Sequence, residues 1–292
     1  MKPNLFTGIL FAATFATAFV NVHAQNLNGT LNSGFYGSAL AVQTVNTGFG
    51  DATGGDSANG SELDAAYGNI SGGNLYLFIA GNFQNNGNHL NLFIAGGAAG
   101  QSTLNTSGGT LAAMNGSVFS PGFQATFALD MNDYSGTLYT EEYNLVANTG
   151  GYVGALAESS TGIAAGSDGG VSSLYLNNTH VSTMGGSGLA LSGATSGAST
   201  TTGLELAIPL SAIGYTGGSI GVLADINGGG DSYLSNQLLA GLPVGSGNLG
   251  TATFNFGSTP GEFSTVPVPE PSTLALSALS GAASLVTFRR RK

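Results

Sequence analysis

The stretch Asp225-Ile226-Asn227-Gly228-Gly229-Gly230-Asp231 spaces three oxygen-bearing side chains, Asp225, Asn227 and Asp231, along a glycine-rich loop. Such oxygens on a flexible backbone are what a hard divalent cation, calcium above all, takes as ligands. Asp51-Ala52-Thr53-Gly54-Gly55-Asp56 offers a second pair of carboxylates. Neither loop follows the EF-hand pattern. Gly229 stands where a ligand belongs, Asn236 where a bidentate Glu should sit, and a strand pattern precedes the loop in place of a helix. Asp, Asn and Gly also fill ordinary hairpin turns for conformational reasons, and that reading stands beside the metal one.

Catalysis has weaker support. Outside the N-terminal leader the histidines are His89 and His180, one opening a strand pattern and one in the Asn/Thr-rich segment Asn177–Thr183, and both read as surface polar residues. No Gly-x-Ser-x-Gly elbow occurs in a strand-to-helix context, so a Ser-His-Asp triad is not indicated. Glu141 and Glu142 are neighbours on a strand and point to opposite faces, which prevents a single acid–base dyad. The chain therefore reads as a non-enzyme with no catalytic residues and no cofactor besides calcium. Tyr36, Tyr67, Tyr134, Tyr152, Tyr215 and Tyr233 lie beside Gly or in loops, where ring faces can meet sugars. A polysaccharide-binding or calcium-assisted adhesion module is thus the alternative reading. A secreted hydrolase ranks below it, and so does ice binding, because Thr200-Thr201-Thr202 and Thr251-Ala252-Thr253 are isolated and not ranks.

Composition excludes more than it assigns. Of 292 residues only 5 are Lys or Arg against 15 Asp or Glu, a net charge of −10. The basic residues are Lys2, Arg289, Arg290, Arg291 and Lys292, so nothing between Pro3 and Phe288 carries a permanent positive charge. Phosphate neutralisation is impossible for such a body, and nucleic acid is excluded as a partner. Cys and Trp are absent, which removes disulfides and thiolate chemistry. All acidic residues but Glu270 lie between Asp51 and Glu262, where they repel one another without internal relief.

Both ends read as addresses. Lys2, the apolar run Leu5–Val20 and Val22-His23-Ala24 have the order of a secretory signal peptide, cleaved between Ala24 and Gln25. At the other end, Val266-Pro267-Val268-Pro269-Glu270-Pro271-Ser272 is held extended by its prolines. Thr273–Phe288 follows as about 16 uncharged residues, short for a span of ~20. Arg289, Arg290, Arg291 and Lys292 then form a cytoplasmic stop.

The run Val268, Pro269, Glu270, Pro271, a short apolar helix and a terminal basic cluster resembles the PEP-CTERM sorting signal of Gram-negative bacteria. The resemblance implies export through the secretion machinery and a transient inner-membrane tether. An exosortase then cuts near the motif, and the body is delivered to the cell surface or an exopolysaccharide-associated matrix. Residues 1–24, 25–265 and 266–292 are accordingly signal peptide, extracytoplasmic domain and sorting segment.

The body itself has a β pattern. Asn74–Gly81 and His89–Gly96 are near copies joined by a turn-rich segment and read as a hairpin. Further strands are expected at Phe123–Met131, Thr137–Leu145, Gly151–Ala157, Ser172–Leu176, Gly203–Ile208 and Ser219–Ile226, with short helical pieces at Ser61–Tyr67 and Ser211–Ile213. Gly-, Asn- and Ser-rich loops separate them. An all-β, jelly-roll-like antiparallel sandwich is the expected fold. The order Ser61–Tyr67, Leu75–Asn82, Leu90–Ala95 and Gly203–Leu210 is similar to family-nine carbohydrate-binding and DOMON-like sandwiches. This chain lacks the Trp on which such domains stack sugars.

Overall fold

The computed structural model describes residues 25–45, 47–49, 61–83, 86–157, 161–164, 171–175, 197–239 and 241–268. The leader up to Ala24, the Asp51–Asp56 loop, His180, Pro269–Pro271, the apolar run and the basic terminus lie outside the described residues. Among the described residues no helix is long and apolar enough to cross a membrane.

Two antiparallel sheets make the body. The smaller contains β1 (Ala41–Val42), β2 (Glu62–Ser71), β3 (Asn74–Asn82), β8 (Thr161–Ala164), β9 (Val171–Tyr175) and β10 (Gly203–Pro209), in the order β1-β2-β3-β10-β9-β8. The larger contains β4 (Asn86–Ala95), β5 (Phe127–Tyr134), β6 (Thr137–Asn144), β7 (Thr149–Ala157), β11 (Ile220–Asn227), β12 (Leu234–Leu239) and β13 (Ser264–Val266). Its order is β12-β11-β4-β5-β6-β7, with β13 also pairing β11. Strand alternation sends Leu75, Leu77, Ile79, Leu204, Leu206 and Ile208 of one sheet against Leu90, Leu92, Ile94, Phe127, Leu129 and Met131 of the other. Each such buried side chain contributes about 1.5–3 kcal/mol, so this layer drives the fold. The architecture is the all-β sandwich expected from the sequence.

The outer faces are covered as well. On the larger sheet, Phe93, Ala128, Tyr143 and Leu223 lie beneath the segments 96–126 and 241–263, which bring Leu111, Met114, Phe119, Phe123 and Phe256. Phe119 stacks on Phe256 at 5.7 Å between ring centroids and meets Phe93 at 5.1 Å. Gly100 lets the first cover segment run flush on its partner, since a Cβ there would sit 2.3 Å from the Ala125 carbonyl oxygen. On the smaller sheet, Tyr67, Tyr76 and Phe78 are covered by Leu27, Leu31, Phe35 and Tyr36. Glu205 fastens that cover. Its carboxylate accepts from the Asn28 and Gly29 backbone N–H groups at 2.8 and 3.0 Å, from the Tyr36 hydroxyl at 2.9 Å and from the Gln25 amide at 3.0 Å.

Three local expectations are corrected. The near-copy strands are no hairpin: β3 and β4 belong to different sheets and face each other across the core. An apolar run buried on both faces reveals a strand but not its neighbour. Ser61–Tyr67 is not helical either; from Glu62 on it lies in β2, whose register shifts between Leu63 and Ala65. This bulge places Leu63 and Ala66, three residues apart, on the same inward face, imitating helical spacing. Ser211–Ile213 forms a turn, closed by Ala212 N–H on Pro209 O at 3.0 Å.

The bulge residue Asp64 is wholly buried, and burial pushes its carboxyl up to about 7 against the opposing Thr200 hydroxyl. Folding therefore takes up a proton. Stability from this residue is complete below about pH 4 and declines as pH rises towards 7. Asp64→Asn, which removes the charge and keeps the shape, is expected to raise the melting temperature at pH 8 while leaving it nearly unchanged at pH 4. Equal shifts at both pH values would show that the buried charge is not the cause.

Candidate functional site

Register on the outer face of the larger sheet builds the site. Asp225, Asn91, Asp130, Glu141 and Tyr152 sit opposite one another on β11, β4, β5, β6 and β7 and form a single transverse row. The next row is Asn227, His89, Asn132 and Tyr139. On the other side runs the apolar row Leu223, Phe93, Ala128 and Tyr143. Outward positions of these strands thus switch from apolar to polar where the aromatic cover stops.

Two turns close over the polar rows. The 3₁₀ turn Thr110–Met114 packs on the turn Gly229–Asp231. Gly109 precedes the first with φ +73°, close to the Tyr143 hydroxyl, where a side chain would collide. In the second, Asp231 adopts φ 52°, costly for a residue with a Cβ. That conformation aims a fully buried carboxylate back onto the row. Thr110 N–H donates to Glu141 Oε2 at 2.8 Å and its hydroxyl reaches Oε1 at 3.3 Å, while the Tyr143 hydroxyl also donates to Glu141. Glu141 therefore pins the cover to the sheet.

Below this lies a dense acidic network. His89 Nδ1 is 2.6 Å from Asp130 Oδ1 and 3.9 Å from Asp231 Oδ2. Asn91 Nδ2 reaches Asp231 Oδ1 at 2.9 Å and Asp225 Oδ1 at 3.2 Å. The Asn132 amide donates to Gly87 O at 2.8 Å and stands 2.9 Å from His89 Nε2. Because that amide nitrogen is fixed as a donor by the Gly87 carbonyl, Nε2 is an acceptor and the His89 proton sits on Nδ1, directed at Asp130. Burial lowers the His89 pKa, opposed by Asp231 and Glu141, so the ring is neutral.

The carboxyls respond in the opposite direction. Burial, followed by the charge of Glu141, pushes Asp130 up to about 7. Asp225 and Asp231 are held well above the usual carboxylate range by burial first, then by Asp231 and Asp130 respectively. Asp130 and Asp231 thus form a close pair of buried carboxyls beside the His89 ring. A cleft of about 340 Å³ opens beside the pair, lined by His89, Thr110, Asp130, Asn132, Tyr139, Glu141, Tyr152 and Gly230.

Of the residues singled out from sequence, Asp225 and Asp231 are brought together through Asn91. Asn227 is not, because its Oδ1 accepts the Gly228 and Tyr233 N–H groups and closes the turn. His89 is buried, contrary to the surface reading, and it meets Asp130, which sequence reasoning did not select. A signal existed: His89, Asn91, Asp130 and Asn132 occupy outward positions that alternate with the inward apolar residues Leu90, Leu92, Leu129 and Met131. Glu142 does point away from Glu141, into the interior. Tyr36 and Tyr67 are buried, Tyr233 stacks on Phe49, and of the six tyrosines proposed for sugars Tyr152 lines the cleft.

This is an antiparallel β-sandwich protein with an acidic, tyrosine-rimmed cleft. Residues 267–292 match the PEP-CTERM protein-sorting motif. The motif makes the chain an exported protein, processed by an exosortase through a membrane-anchored intermediate. No curated protein and no solved structure matches the chain.

Proposed function

We propose that the body is a non-enzymatic carbohydrate-binding module that lodges the exported protein at the cell surface or in an exopolysaccharide matrix. The observation carrying this reading is the cleft itself. Tyr152, 63% exposed, and Tyr139, 40% exposed, flank an opening whose wall carries Asp130 and Glu141. Tyrosine faces pack on the C–H faces of sugar rings, and carboxyl oxygens accept sugar hydroxyls. Absence of Lys and Arg from the body favours neutral glycans over anionic ones. Binding is favoured over hydrolysis because both oxygens of Glu141 are engaged by Thr110 and Tyr143, leaving no free partner across the cleft for Asp130.

Retention of the protein on matrix polysaccharide from its producer tests the reading. Tyr152→Ala is expected to weaken retention about tenfold, the loss of one stacking contact, without changing thermal stability. Equal retention of the variant and the parent protein would remove the cleft from consideration.

A further inference from the structure

We propose that Asp130 and Asp231 hold a hard divalent cation, calcium in the first place, at the inner wall of the cleft. Sugar hydroxyls complete its coordination; this second clause rests on the carbohydrate reading above. Asp130 is 2% exposed and Asp231 fully buried, and Oδ2 of each has no hydrogen-bond donor. Asn91, also fully buried, grips Asp231 by Oδ1 and leaves its own carbonyl oxygen without a donor. Unpartnered oxygens in such a setting are costly unless a positive centre meets them.

The chain supplies no such centre. No Lys or Arg occurs between Pro3 and Phe288, and His89 is held neutral by its two hydrogen bonds. Beyond proton uptake, relief must come from outside, and the cleft that Asp130 lines is the way in. His89 Nδ1, Asp130 and Asp231 offer atoms all within 4.8 Å of one another. Since Nδ1 carries the proton given to Asp130, the ring orients that carboxylate and does not itself ligate. The remaining donors are oxygens, which select calcium, magnesium or manganese over metals that seek nitrogen or sulfur. Two carboxylates leave several coordination positions for water or hydroxyl groups, and the irregular set suits calcium better than the stricter octahedron of magnesium. Asp130 thus takes the place that the loop pattern alone would give to Asn227.

Calorimetric titration of the full chain with calcium chloride is expected to show one ion per chain, and Asp231→Asn to weaken it at least about tenfold, as expected for loss of a ligating charge. Asp64→Asn, in the other sheet, should bind like the parent. Terbium provides a readout that does not depend on the cluster variants folding. With no Trp present, terbium emission is sensitised by tyrosine, and Tyr139→Phe with Tyr152→Phe should dim it without changing calcium displacement. No heat with calcium, magnesium or manganese up to about 10 mM, an affinity beyond even weak extracellular sites, overturns the proposal. So does undiminished emission from the double Phe variant. Calcium binding without glycan retention would sink the carbohydrate reading alone, whereas retention indifferent to chelator would sink the bridging role.

Discussion

Glu205→Ala is expected to lower the free energy of unfolding by about 3–5 kcal/mol, because it strands several donors that a buried carboxylate now satisfies. The Gly29 N–H and the Tyr36 hydroxyl are buried beside it, and the Asn28 N–H partly so. Each unsatisfied buried donor costs roughly 1–3 kcal/mol, and the losses are not strictly additive. Glu205→Gln keeps one acceptor oxygen but turns an amide towards other donors, so an intermediate loss is expected. Urea unfolding measures the size, and limited proteolysis locates it: cleavage should appear first between Gln25 and Tyr36. A loss below about 1 kcal/mol, the worth of one ordinary hydrogen bond, would mean that Leu27, Leu31 and Phe35 hold the cover by apolar packing alone.

Truncation after Val266 is expected to have the largest effect on delivery. The matched sorting motif is removed, and with it the tether that presents the chain to the exosortase. The motif combines about 16 uncharged residues, Thr273–Phe288, with the basic cluster Arg289–Lys292, the composition that a membrane-anchored intermediate calls for. The truncated chain should leave the inner membrane unprocessed and fail to accumulate where the parent does. Glu270→Ala should instead accumulate as an uncut, membrane-held precursor. Fractionation followed by mass spectrometry of the protein's C-terminus distinguishes the two. Mature parent protein still ending in Arg291-Lys292 would contradict processing at this motif.

These expectations draw on different levels of the molecule. The sorting motif is local: prolines, an apolar run and a basic cluster act in the order in which they are written, so no folding is needed to recognise them. Most strands were equally legible. Gly203–Ile208, Ser219–Ile226 and Thr137–Leu145 match β10, β11 and β6 within a residue or two, because alternation and turn residues are short-range signals. The strand pattern at Phe123–Met131 starts too early, since Phe123 belongs to the cover and β5 begins at Phe127. Partnership was not legible. The two near-copy strands carry apolar residues on both faces, which specifies burial but not a sheet, and only packing put them on opposite sides of the core.

What the sequence determined by itself was an all-β body without internal cations, and a tail that directs its export. Both follow from residue type and neighbour order. The acidic site was decided by tertiary structure. His89, Asp130 and Asp231 are far apart in the chain, and the β4–β5 register together with a left-handed turn at Asp231 is what joins them. Register depends on which faces are buried, and burial here depends on loop segments that are themselves anchored by Glu141 and Phe93. A carboxylate in a loop signals chemistry only once its neighbours across the sheet are known.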